Sequence, residues 1–152
     1  MNRKANSHNP PSGDNYVKRR RSFNESAAIA ALTLAAHRVL LRLEVELLRH
    51  GGKNNGKLIC TYDDFKQFGI RRMSIAPAIR LLVEVGLIEI TDRGWRLAAH
   101  GRPAQYRLTY LPAYGKPPTD EWKAYTPAQT HVVAKTPLHG AEIQERKRYY
   151  TL

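Results

Sequence analysis

The sequence predicts an α+β fold: a three-helix core, a small antiparallel sheet with a basic hairpin loop, and extended or disordered tails on both sides. Three observations lead there. Apolar residues recur at helical spacing from 26 to 50 and again from 75 to 82. Two short alternating stretches, Leu87 to Ile90 and Gln105 to Leu111, flank a glycine-bearing basic segment. Turn residues stand between these elements at Gly51 to Gly56, Gly69 and Gly86.

Residues 1–25 are polar, with Pro10-Pro11, Ser12-Gly13 and the basic run Lys18, Arg19, Arg20 and Arg21. Such a segment has no apolar face to bury, so a disordered arm is expected, its cations available to phosphates or a minor groove. The folded domain is expected over 26–111. In it Ile29, Leu32, Ala36, Val39, Leu40, Leu43 and Leu47 form one stripe at helical spacing. Thr33 is placed to cap a fresh start, giving a short helix and a longer one from about 34 to 49. Leu34, Leu41, Val45 and Leu48 widen the apolar surface. A helix apolar over so much of its circumference either sits centrally or packs on a second copy of itself.

Gly51 to Gly56 reads as a turn, since no Gly-Lys-Ser/Thr triplet or helix follows it as in a phosphate loop. Leu58 to Cys60 is a short strand. Thr61 and Asp64 have capping-box spacing, and Asp63 and Asp64 complement the positive end of the helix dipole. Phe65 and Phe68 share one face of this helix, and Gly69 stands where a helix ends with positive φ. In the next helix Ile75, Ala78, Ile79 and Leu82 form the buried stripe, with Met73, Ala76, Pro77 and Arg80 roughly opposite. Pro77 costs about 3 kcal/mol in a helix interior. The reading adopted therefore makes Ser74 the N-cap and starts the regular helix near 75, and a kinked helix from Arg71 is the alternative. A strand at 87–91, a basic loop over 92–104 with Arg93, Arg96 and Arg102, and a strand at 105–111 make a hairpin. Trp95 either covers the base of that hairpin or touches a nucleotide. From 112 to 152 prolines interrupt the pattern, and short helices are expected near Thr119 to Trp122 and from Glu142 to Tyr150.

Bulk composition narrows the function. The chain has 152 residues, one domain's worth, and a formal net charge of +12, with pI near 10.1. The implied partner is a polyanion, foremost nucleic acid. No apolar run approaches the roughly 20 residues that cross a bilayer, and no apolar signal core opens the chain. The single cysteine, Cys60, fits a reducing compartment and reads as a packed core residue. No nucleophile–base set is present. Glu44 and Glu46, two apart on a helix, face different ways, and the histidines at 8, 37, 50, 100, 131 and 139 lack ligand spacing. The expectation is a non-enzyme with no cofactor, no metal site and no small-molecule ligand.

The order helix, strand, helix, turn, helix, strand, basic loop, strand resembles a winged helix-turn-helix domain. The resemblance is carried by GKLICTYDDFKQFGIRRMSIAPAIRLLVEVGLIEIT and by PAQYRLTYL, and it covers about residues 33 to 111. More closely, the wording is similar to small winged-helix proteins of alphaproteobacterial plasmids, integrative elements and chromosomes, often described as replication-initiator-like. The resemblance implies that Arg71, Arg72, Met73, Ser74, Ala76, Pro77 and Arg80 face a major groove. It also implies that Lys66 and Gln67 lie near phosphates, and that Arg93, Arg96 and Arg102 sit in the wing. Most such domains carry long polar side chains where Ala76 and Pro77 stand. Arg71, Arg72, Ser74 and Arg80 are then the main base-reading candidates, with Ala76 and Pro77 suited to a thymine methyl.

The functional expectation is a sequence-specific double-stranded DNA-binding protein, a transcriptional regulator acting in the bacterial cytoplasm at the nucleoid. Two alternatives stand beside it: a plasmid replication-initiator-like or architectural DNA protein, and a winged module for protein or RNA in a larger assembly. A homodimer through the 26–50 helix or the C-terminal tail is compatible with each.

Overall fold

The computed structural model of the chain describes residues 14–97 and 100–127. It is an α+β structure in which helices pack against a small antiparallel sheet. In order, the elements are α1 (Arg21–Asn24), α2 (Ala27–Ala30), α3 (Leu34–Arg49), β1 (Leu58–Ile59), α4 (Tyr62–Gln67), α5 (Arg72–Glu84), β2 (Ile88–Asp92), β3 (Trp95–Leu97), β4 (His100–Arg102), β5 (Gln105–Leu108) and a final 3₁₀ turn, Glu121–Ala124.

The helix boundaries follow from local chemistry. Ser26 caps α2 by accepting from the Ile29 amide at 3.3 Å, and Thr33 caps α3 by accepting from Ala36 at 3.2 Å. The split expected at Thr33 is therefore present. Thr61 and Asp64 form the reciprocal capping box of α4, at 2.7 Å and 3.2 Å. Helix α5 departs from the preferred expectation. It begins at Arg72 with Arg71 as N-cap, so Ser74 is not the cap and Pro77 lies inside the helix. The first turn is tightened, the Ser74 amide donating to the Arg71 carbonyl at 2.8 Å. Pro77 deprives only the Met73 carbonyl of a donor, and Met73 is 91% exposed, so water can take the missing place.

Helix α3 is central. Its Ala36, Val39, Leu40, Leu43 and Leu47 are buried with Phe65 of α4, with Ile75, Ala78, Ile79 and Leu82 of α5, and with Leu58, Leu87 and Leu108 from and beside the sheet. Phe65 meets Tyr106 edge to face at 6.3 Å. Cys60 is buried and free, as expected of a packed residue.

The main sheet has the order β1–β5–β2 and is antiparallel throughout, with Leu58 opposite Tyr106 and Ile90 opposite Tyr106 on the other side. The register slips between Ile90 and Asp92, and the Thr91 hydroxyl donates to the Gly56 carbonyl at 2.8 Å. The segment expected as a plain loop over 92–104 is instead a second ladder, β3 against β4, pairing Trp95 with Arg102 and Leu97 with His100. Two glycines permit it. Gly94 has φ +64 and lies against the backbone of 102–104, and a Cβ on Gly101 would stand 2.6 Å from the Trp95 carbonyl.

Both flanking segments pack on the domain further than expected. From residue 14 the chain follows a defined course, which corrects the expectation of a disordered arm to residue 25. Phe23 is buried between Tyr110, at 4.4 Å, and Trp122, at 5.2 Å. One aromatic side chain suffices to anchor an otherwise polar stretch when two other rings await it. On the C-terminal side, Arg107 donates to Glu89 at 2.6 Å, to Thr119 at 2.7 Å and to Glu121 at 2.8 Å. This clasp holds 119–121 against the sheet, while the Gly86 turn touches the backbone of Glu121 and Trp122. The helix expected near Thr119 is the 3₁₀ turn Glu121–Ala124, and the one expected over Glu142 to Tyr150 lies outside the described residues. No helix among the described residues is long and apolar enough to cross a membrane.

Candidate nucleic-acid interface

The α4–turn–α5 unit sets the candidate face. Helix α4 ends at Phe68, whose carbonyl accepts from the Arg38 guanidinium at 3.0 Å. Gly69 follows with φ +84, and a Cβ there would meet Arg38 Nη2 at 2.7 Å. Helix α3 thereby holds the turn that aims α5. With Ile75, Ala78, Ile79 and Leu82 turned inward, α5 leaves Arg71, Arg72, Met73, Pro77 and Arg80 exposed, while Ser74 and Ala76 are half-buried. Ser74 shares a shallow groove of about 280 Å³ with Thr33, Ala35 and Leu81, at the start of α3. On α4, Lys66 and Gln67 are exposed.

The ribbon formed by β3 and β4 lies beside this unit. A cleft of about 620 Å³ is walled on one side by residues 61–63 and Arg72, and on the other by Arg93, Trp95, Arg96 and residues 100–103. The sequence-predicted wing arginines and the start of α5 are thus neighbours across one cleft. Arg72 sits 3.7 Å from Asp63 and its guanidinium lies 5.8 Å over the Tyr62 ring. Arg102 pairs with Asp92 at 2.8 Å.

Some cations of the chain are tied into ion pairs and others are not. Among the described residues, every carboxylate except those of Asp14 and Glu84 lies within 4.0 Å of a cationic side chain. Arg42, buried in α3, holds Glu46 at 2.8 Å, and Arg107 holds Glu89 and Glu121. Within the same residues, Lys66, Arg71, Arg80, Arg93 and Arg96 face no carboxylate. Lys18, Arg20, Arg38, Lys53, Lys57 and Lys116 likewise have no carboxylate within 4.0 Å among the described residues, and the five named first lie on α4, α5 and the ribbon with its entry.

The basic run at 18–21 is distributed differently. Arg19 grips Glu44 with Nε at 2.9 Å and Nη2 at 2.6 Å, and Glu44 also accepts from the Tyr110 hydroxyl at 2.6 Å. Burial opposes the charge on Arg19, and the hydrogen bond and attraction of Glu44 more than offset it, holding its pKa above the ordinary value. Burial, reinforced by Glu44, likewise pushes the Tyr110 phenol well up. Arg19 is therefore a structural residue, which corrects its assignment to a DNA-binding arm. Lys18, Arg20 and Arg21 are exposed, and Lys18 and Arg20 border a different groove, shared with Phe23 and Trp122.

Sequence reasoning missed three contributors. Tyr62 and His100 line the cleft, and Arg38 fixes the turn, yet none carries a local signal beyond residue type. No group of three or more potential metal ligands occurs among the described residues. Comparison of the chain with models of protein families, with curated proteins and with solved structures gives no match.

Proposed function

We propose that the chain is a winged helix-turn-helix protein that binds double-stranded DNA in a sequence-specific way, as a transcriptional regulator. In this reading α5 enters the major groove, Lys66 and Gln67 lie along the phosphates, and the β3–β4 ribbon rests on the neighbouring backbone or minor groove. The observation that carries the reading is that Lys66, Arg71, Arg80, Arg93 and Arg96, on α4, α5 and the ribbon with its entry, are exposed and pair with no carboxylate among the described residues. On α5, Ala76 and Pro77 are short enough to let the helix approach base edges closely.

The test is selection from randomised duplexes followed by fluorescence-anisotropy titration of the enriched site. Arg80→Ala is expected to cost about 1–3 kcal/mol on that site and to relax preference at one base pair. Equal affinity of the wild-type protein for all duplexes would overturn the assignment to a specific regulator.

A further inference from the structure

We propose that the cleft between the start of α4 and the β3–β4 ribbon takes one unpaired nucleotide of a DNA strand, the base stacking on Trp95 and the phosphate meeting Arg93 and Arg96. This rests on the reading that the adjoining face carries duplex DNA, and it names a second ligand form for that face.

The composition of the cleft is the argument. Two of its aromatic rings are open to solvent: Trp95 is 56% exposed and Tyr62 is 39% exposed. The Tyr62 ring carries Arg72, but Trp95 is left in water at the edge of a cationic surface, and duplex backbone offers it phosphate and sugar but no flat apolar partner. Paired bases present only their edges in the grooves, so a free base face comes from an unpaired nucleotide. Cations and rings together match that ligand, because stacking binds any base and arginine binds the phosphate beside it.

The walls differ in how committed they already are. Arg72 lies near Asp63, at 3.7 Å, and over the Tyr62 ring, so the one carboxylate lining the cleft already has a cation beside it. On the ribbon wall Arg93 and Arg96 face no carboxylate among the described residues and are exposed to meet an anion. The floor includes the buried Cys60 and Tyr106, and burial raises both to about 12, so it is uncharged. At about 620 Å³ the space lies within the ~300–1,000 Å³ typical of small-ligand clefts. It is open along one side, as a nucleotide still joined to its strand requires.

The experiment uses the full chain and three labelled ligands: a blunt duplex, the same duplex with a short unpaired thymidine overhang, and that overhang made of abasic sites with its phosphates intact. Anisotropy gives affinity, and quenching of tryptophan fluorescence reports Trp95, since Trp122 is buried. The overhang duplex is expected to bind at least about fivefold tighter than the blunt one, with quenching, and the abasic overhang to lose most of that gain. Trp95→Ala should erase the difference between overhang and blunt duplex, and Trp95→Phe should keep most of it. Overhang and blunt duplex binding equally, or a gain that survives in the abasic ligand or in Trp95→Ala, would overturn the stacking site and leave the duplex reading standing. A blunt duplex that fails to bind while the overhang still binds would remove the duplex reading alone, and failure of all three ligands would remove both.

Discussion

Replacing Arg19 by alanine separates docking of the N-terminal segment from DNA contact. Glu44 has a side chain only 6% exposed, and its partners are the Arg19 guanidinium and the Tyr110 hydroxyl. Arg19→Ala leaves that carboxylate buried with one neutral donor. Removing one member of a buried ion pair costs about 3–5 kcal/mol. The Arg19 side chain is 27% exposed, so water reaches the vacated space and the expected loss falls to roughly 2–4 kcal/mol. The guanidinium also lies 5.6 Å over the Phe23 ring, so its loss loosens the Phe23 anchor as well. For a domain of this size the midpoint of thermal unfolding should drop by about 8–16 °C. Lys18→Ala and Arg20→Ala, at exposed positions, should stay within about 0.5 kcal/mol. Urea and thermal unfolding followed by circular dichroism measure all three, and the double variant Arg19→Ala/Glu44→Gln should recover part of the loss. If Arg19→Ala is no more costly than Arg20→Ala, residues 14–25 do not dock as described.

Two further outcomes follow from buried or capped polar groups. Asn55, 2% exposed, accepts from the Leu108 amide at 2.7 Å and donates to the carbonyls of Leu108, Leu111 and Pro112 at 2.8–3.1 Å. Asn55→Ala strands several backbone groups and should cost about 2–4 kcal/mol in urea denaturation, where a loss below about 0.5 kcal/mol would show these hydrogen bonds to be idle. At Asp64 burial is the largest single influence and opposes the charge, but the hydrogen bonds from Thr61, with Arg42 and Arg49 nearby, together outweigh it, so the pKa is depressed. The same balance holds at Glu121 with Thr119 and Arg107. Stability from these groups is full above the ordinary carboxylate range and declines as pH falls through about 4 toward their lowered values. Asp64→Asn should flatten part of that decline, and an unchanged pH profile would count against the cap's contribution.

What the sequence made legible was local. Thr33, the Thr61–Asp64 box and Gly69 each announce a helix end through chemistry within a few residues, and each stands where expected. The buried stripe of α5 was equally plain. What was hidden depends on partners far along the chain. Asn55 reads as one more turn residue until Leu108, 53 positions away, is placed beside it. Arg19 looks like its three cationic neighbours until the fold brings Glu44 to it across 25 positions. Glu44 and Glu46 do face different ways, and the structure supplies the reason: one closes on Arg19 and Tyr110, the other on Arg42 and His50. Pro77 misled because the cost of proline was assigned to the helix in general, whereas here one exposed turn absorbs it. The β3–β4 ladder escaped notice because three-residue strands containing His100 and Gly101 carry no alternation. At the candidate site the arginines could be picked by type, but which of them the fold leaves unpaired could not.

The central claim is that Lys66, Arg71, Arg80, Arg93 and Arg96 offer their charge to phosphates and base edges. It is tested most directly by the salt dependence of duplex binding. Five cations set against the duplex, on phosphates or in the groove, release about five counterions and predict a slope near −4.5 for log affinity against log salt, so a fourfold rise in salt should weaken binding roughly 500-fold. Converting Lys66, Arg93 and Arg96 to alanine together should bring the slope toward about −2 without loss of thermal stability. A slope near zero, or one that the triple variant leaves unchanged, would contradict the account.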